Sequence, residues 1–163
     1  MTSPSLAPEK LLRWITVLIR VGLGAIFLYA GAVKATASES FALALVPFSI
    51  LPDAWIGTFA VVLAWTEIAA GVLILLPKVH RLGSALILLL ALTFIGVLTW
   101  ALANDIIVSC GCFGQDETPS AAAMQMAILR DVGIAAAAAF ALAFRPAEGR
   151  RRDRSGSPGS GGR

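Results

Sequence analysis

The sequence predicts an all-α fold: an integral membrane bundle of four transmembrane helices with both termini cytoplasmic. Three observations carry that prediction. The 163-residue chain is 58% hydrophobic and only 14% charged, against roughly a quarter charged in a typical soluble domain. Four stretches reach the roughly 20 mostly apolar residues needed to cross a bilayer. Lys and Arg gather on alternate sides of those stretches. A soluble domain of this length has no interior large enough for so much apolar surface. One histidine and two cysteines leave little material for a metal site.

The first span is expected from about Trp14 to Val33, WITVLIRVGLGAIFLYAGAV. The second is IGTFAVVLAWTEIAAGVLILL, from about Ile56 to Leu76, and the third LGSALILLLALTFIGVLTWAL, from about Leu82 to Leu102. The fourth is AAMQMAILRDVGIAAAAAFALAF, from about Ala122 to Phe144. None contains a proline, and each is rich in Ala, Leu or Gly, which membrane helices tolerate. Pro47 and Pro52 break the first connection, Pro77 ends the second span, and Gly111, Gly114 and Pro119 mark the third connection as loop. A cleaved signal peptide is the alternative for the first span, since Ala35-Thr36-Ala37 resembles a cleavage site. The apolar stretch is longer than a signal core and is interrupted by Arg20, which favours a retained span.

The chain therefore divides into a cytoplasmic segment 1–13, a membrane domain 14–144 and a basic tail 145–163. The tail is charged, Gly/Ser-rich and without periodicity, and reads as disordered. Lys10, Arg13, Lys78, Arg81, Arg145, Arg150, Arg151, Arg152 and Arg154 fall on one side of the membrane. The other side has Lys34 alone, with Glu39, Asp53, Asp105, Asp116 and Glu117. That bias places both termini inside and the connections at about 34–55 and 103–121 outside, as in a multi-pass protein of the cell inner membrane. The basic tail fixes topology and attracts anionic lipid. It lacks the interleaved aromatics of a nucleic-acid binder, so no nucleic-acid partner is expected.

Both cysteines, Cys110 and Cys112, lie in one outward connection within the string SCGCFG. An extracytoplasmic compartment permits disulfides. Residues two apart can close a disulfide if the chain bends, and Gly111 permits the bend. Strain in so small a ring raises its reduction potential, placing it with exchange sites rather than structural staples. It also closes almost no loop, so it stabilises little. Inert thiols, disulfides to a partner protein and metal ligation remain the alternatives. Zinc takes four ligands, and His80 is expected on the opposite side of the membrane.

Four charges fall inside the expected spans: Arg20, Glu67, Arg130 and Asp131. Each is costly near the bilayer centre unless paired or wet. Counted from the cytoplasmic ends, Arg20 is roughly 9 Å deep and Glu67 roughly 14 Å, so an Arg20–Glu67 pair across antiparallel helices is expected. Arg130 and Asp131 lie nearer the cysteines, and as sequence neighbours they point in different directions on a helix. Snorkelling plus an interhelical ion pair is the plain reading for them. The sharper one has Arg130 facing a thiolate or a bound acidic group. Lys34 is expected to snorkel to the outer interface or, beside a cysteine, to lower a thiol pKa. Gly22, Gly24, Gly31, Gly71 and Ala135–Ala139 offer surfaces for close helix contact. Trp14, Trp55 and Trp100 read as interfacial belt residues, and Trp65 as core.

The sequence resembles the MauE family, within the wider DoxX-like group of small membrane proteins. Four strings carry the likeness: Arg20 followed by FLYAGAVK, the TEIAAGVLIL around Glu67, SCGCFG, and LRD at Leu129–Asp131, where relatives tend to have Asn in place of Asp131. It covers about residues 14–144. The resemblance implies a four-helix membrane fold and a redox-associated role. In methylamine metabolism such proteins are thought to assist maturation or export of the disulfide-rich small subunit of methylamine dehydrogenase. The function expected is thiol–disulfide assistance to an extracytoplasmic client, with Cys110 and Cys112 as redox pair and Arg130 and Lys34 in support. A thioredoxin-like partner would supply a second cysteine pair. No cofactor motif is evident, although a quinone is possible. The alternatives are a non-enzymatic assembly or chaperone subunit and a small-solute transporter lined by the buried charges.

Overall fold

In the computed structural model of the chain, the structure describes residues 6–48, 52–107 and 120–143. These form helices α1 (Leu6–Thr36), α2 (Ser38–Leu45), α3 (Asp53–Leu75), α4 (His80–Ala103) and α5 (Ala121–Ala143), with a 3-10 turn at Val46–Phe48. Four of them, α1, α3, α4 and α5, are long and apolar enough to cross a membrane. The described residues are otherwise turns and short connections, with no strand among them. The four expected spans are thus four helices. Cys110, Cys112 and the basic tail from 145 onward lie outside the described residues.

Local chemistry sets the boundaries. Pro8 falls in the first turn of α1, where a missing N–H costs nothing because the first amides have no helical partner. This lets α1 begin eight residues before the expected Trp14. Leu76 is extended (ψ 123°), the conformation that a following proline imposes, and α3 stops there. Asp105 takes a left-handed φ of 56° after α4, a region in which Asp is enriched. The Ser120 hydroxyl accepts the Ala123 N–H at 3.1 Å and caps α5. Helix α2 falls in a connection expected to be loop. Its period-3.6 signal is only two turns long, but Glu39 in its first turn complements the helix dipole.

The bundle is a square. Helix α1 packs on α3 and α5, and α4 packs on the same two, which leaves α1 diagonal to α4. Helix α2 lies against α3, at the end of the bundle where α1 finishes and α3 begins. Each long helix turns one narrow stripe inward. On α1 it is Leu23, Phe27, Ala30 and Lys34, on α3 Ala60, Ala64, Glu67, Ala70 and Ile74, and on α5 Met124, Ala127, Asp131, Ala135 and Ala138. The remaining surface is apolar and exposed, as lipid-facing surface must be. Trp14, Trp55 and Trp100 are exposed. Trp65 is exposed as well, at 62%, so it is not core. It lies two positions before Glu67, so its side chain points away from the inward stripe.

Glycine sets the α1–α3 distance. A Cβ on Gly24 would lie 3.2 Å from the Gly71 carbonyl oxygen, and one on Gly31 would lie 2.9 Å from the Ala64 carbonyl oxygen. Backbone meets backbone at both levels, which is how small residues hold membrane helices together. Gly22 does not share this role: its missing Cβ faces open space. At the α3–α4 turn, Gly83 lies so close to the backbone of Leu73 and Ile74 that a side chain would collide with it.

Candidate functional site

Among the described residues, the chemistry gathers at one level of the bundle. Lys34 and Glu67 are each only 2% exposed. The Lys34 ammonium donates to both carboxylate oxygens of Glu67, at 2.8 Å to Oε1 and 2.7 Å to Oε2. Its Nζ also lies 5.4 Å from the ring centroids of Phe41 on α2 and Phe94 on α4. Aromatic faces at that range attract a cation. Four elements therefore surround one charge: α1 carries it, α3 neutralises it, and α2 and α4 cover it with rings.

The expected Arg20–Glu67 pair does not form, and the antiparallel register explains why. Gly24 faces Gly71 and Gly31 faces Ala64, which puts Glu67 opposite about Leu28. Arg20 lies eight residues to one side of that level and Lys34 six to the other. Side chains on a helix tilt toward its N-terminus. Lys34 therefore leans down toward the level of Glu67, Glu67 leans up toward Lys34, and Arg20 leans away from both. Lys34 does not snorkel outward, because its carboxylate partner lies inward.

Arg20 has a different task. Its Nε donates to the carbonyl of Ile74 at 3.0 Å. That carbonyl belongs to the last turn of α3, where no helical N–H remains to meet it. The guanidinium thus caps a neighbouring helix and complements the negative end of its dipole. The same register that sets Gly24 against Gly71 puts Arg20 level with the end of α3 rather than deep within the bundle.

Arg130 and Asp131 do meet, although adjacent positions diverge around a helix. Arg130 donates from Nε to Oδ1 of Asp131 at 3.0 Å, and its Nη2 lies 3.0 Å from the same oxygen in the ion pair. The long arginine chain bends back along the helix surface, leaving its guanidinium partly exposed while the carboxylate is buried. Asp131 is 4% exposed, and its other oxygen, Oδ2, is buried without a hydrogen-bond partner among the described residues. A cavity of about 30 Å³ joins the two ion pairs, lined by Lys34, Glu67, Arg130 and Asp131 together with Phe94 and Ala30. The described residues contain no cluster of three or more His, Cys, Asp or Glu placed to hold a metal.

Of the residues the sequence singles out, Lys34, Glu67, Arg130 and Asp131 meet at this one level, while Arg20, the expected partner of Glu67, lies apart from it. Phe41 and Phe94 carry no sequence signal beyond being aromatic on helical stripes. The stripe itself held the clue to Lys34, which follows Leu23, Phe27 and Ala30 at helical spacing. The model of one family, described as methylamine utilisation protein MauE, matches residues 12–144. No curated protein and no solved structure matches the chain.

Proposed function

Since the chain belongs to the MauE family and is a multi-pass membrane protein, we propose that it assists thiol–disulfide chemistry in maturing an extracytoplasmic protein, with Cys110 and Cys112 as the exchanging pair. The observation that carries this reading is the placement of the cysteines. The chain leaves α4 at Ala103 and enters α5 at Ala121, so the segment holding both cysteines starts and ends at one end of the bundle. By the distribution of Lys and Arg, that end faces away from the cytoplasm, into a compartment where disulfides persist. The membrane in question is the cell inner membrane, with both termini inside.

In the oxidising direction, a client thiolate attacks one sulfur of a Cys110–Cys112 disulfide, and the other sulfur leaves as thiolate. A second client thiolate then attacks the mixed disulfide. The client departs with a new S–S bond and the loop is left as a dithiol, two electrons richer. A thioredoxin-like protein carrying a disulfide, or a membrane quinone, accepts those two electrons and resets the pair. The reverse sequence reduces a client disulfide. Lys34 is committed to Glu67 and acts here as framework, while the partly exposed Arg130 is the cation proposed to stabilise a thiolate. The transporter reading is less well supported, because Lys34, Glu67, Arg130 and Asp131 are matched to one another in ion pairs.

The test is a redox-trapping gel. Cells are quenched in acid and free thiols tagged with a mass-shifting alkylator, before and after reduction, in wild type, Cys110→Ser and Cys112→Ser. A reversible internal disulfide in wild type, with mixed-disulfide bands in one single variant, is the expected result. Thiols that stay reduced throughout, with no trapped partner, would refute the exchange reading and leave a non-enzymatic assembly role.

A further inference from the structure

We propose that the outward face of α2 and of the turn that follows it, with Leu43 and Val46 at its centre, is a docking surface for an extracytoplasmic protein whose contact patch is apolar and ringed by Lys and Arg. The inference rests on the proposed function for the side of the membrane on which this end of the bundle lies. It deepens that reading by giving the chemistry of the surface that the client or redox partner presents.

Helix α2 is apolar on two opposite faces and buries only one. Phe41 is buried and closes over the Lys34 ammonium. One turn on, Leu45 packs on the cluster of Leu98, Ala101, Met124 and Ala127, where α4 ends and α5 begins. Glu39, Leu43 and Val46 recur at helical spacing on the other side, and all three are exposed, Leu43 at 70%. From Phe41 to Phe48 the string FALALVPF holds no polar side chain. A helix that is apolar all round is ordinarily buried, so the half that the bundle leaves open calls for a second partner. Ile107, just past α4, is a further exposed apolar side chain at this end, and Ile106 before it packs on the same cluster as Leu45. Helix α2 thus flanks the ends of α4 and α5 between which the chain carries Cys110 and Cys112. A protein seated on α2 stands beside both ends of that segment.

Charge selects the partner. Glu39 on the open face of α2 and Asp105, two positions before Ile107, are both exposed. The outer connections also hold Asp53, Asp116 and Glu117 in sequence, and Lys34 is their one cation. Lys34 is buried and matched by Glu67. Among the described residues, this end therefore shows an apolar centre with carboxylates beside it and no exposed cation. An apolar core within a polar rim is the anatomy of a protein interface, and complementary rim charge steers the encounter. The complement of this rim is basic. A bilayer surface is a poorer match, because helices that lie on membranes carry Lys and Arg on the polar face, where α2 carries Glu39. A second copy of the chain would bring the same carboxylates against these and be repelled.

The test places the photocrosslinker p-benzoylphenylalanine at Leu43 of the full-length chain in cells, with Leu89, exposed on the spanning helix α4, as the lipid-facing control. The expected result is an adduct from Leu43, and not from Leu89, to a water-soluble protein that mass spectrometry identifies and whose sequence carries net positive charge. Its yield should fall about fivefold in Glu39→Lys, since a rim charge is reversed. The double variant Glu39→Gln/Asp105→Asn should also lower it, and serves if a cation at the start of α2 unseats that helix. An adduct to lipid, to a second copy of the chain or to an acidic protein would overturn the proposal. So would no adduct, or a yield indifferent to both charge variants. The adduct should persist in Cys110→Ser/Cys112→Ser, because docking needs no thiol. An adduct kept there, with thiols that stay reduced in the trapping gel, refutes the exchange reading and leaves the docking surface in place. Mixed disulfides without a Leu43 adduct do the reverse.

Discussion

Replacing Glu67 by leucine leaves the Lys34 ammonium, 2% exposed, beneath two aromatic rings with no anion. Removing one partner of a buried pair costs about 3–5 kcal/mol. The ring faces of Phe41 and Phe94, each 5.4 Å from Nζ, hold the ammonium in wild type and variant alike, so the expected loss stays at about 3–5 kcal/mol. Lys34→Met strands the carboxylate and also gives up the ring contacts, worth about 1 kcal/mol, and should cost about 4–6 kcal/mol. The double variant Lys34→Met/Glu67→Leu removes both charges and keeps the volume, so it should fall within about 1 kcal/mol of wild type. Arg20→Met combined with Glu67→Leu, by contrast, should be additive to about 0.5 kcal/mol, since the two residues share no contact. The assay is reversible unfolding in mixed micelles, titrated with a denaturing detergent and followed by tryptophan fluorescence. Single variants that each lose less than about 1 kcal/mol, or a double variant as unstable as the sum of its parts, would refute the reasoning.

Four further outcomes follow from the packing. Gly31→Ala drives a methyl toward the Ala64 carbonyl oxygen and should cost about 1–3 kcal/mol in the same titration. Gly22→Ala, which meets open space, should gain about 0.5–1 kcal/mol from helix propensity. Arg20→Met uncovers the Ile74 carbonyl and should speed amide exchange in the last turn of α3 while leaving the Lys34–Glu67 level protected. Ser84 is fully buried and its hydroxyl has no hydrogen-bond partner among the described residues, so Ser84→Ala should be neutral or stabilise by about 1 kcal/mol in thermal melts.

The spans were legible because the bilayer imposes a coarse requirement of length and apolarity, and no competing reading satisfies it. Which charges meet was less legible. Arg20 and Lys34 both lie on the inward stripe of α1, and periodicity alone treats them alike. The choice is made by the α1–α3 register, which close glycine contacts fix, and by the tilt of side chains toward each helix N-terminus. Neither can be scored without knowing which glycines touch, and of Gly22, Gly24 and Gly31 only the last two do. Arg130 and Asp131 misled in another way. Angular separation on a helix wheel describes Cβ directions, and a long arginine chain reaches around the wheel. Helix α2 was hidden by its brevity, and with it Phe41.

The division of the buried ion pair between α1 and α3 has a consequence for biogenesis. Lys34 ends the first span, so α1 can enter the bilayer alone with its ammonium at the surface. Glu67 has no such refuge, because it sits mid-span on α3, where an acidic residue costs about 2.5–3.5 kcal/mol to insert. The helix emerging later thus carries the costlier charge, and synthesis order threads its partner first: Lys34 is already present when α3 docks, and pairing then offsets the cost of inserting Glu67.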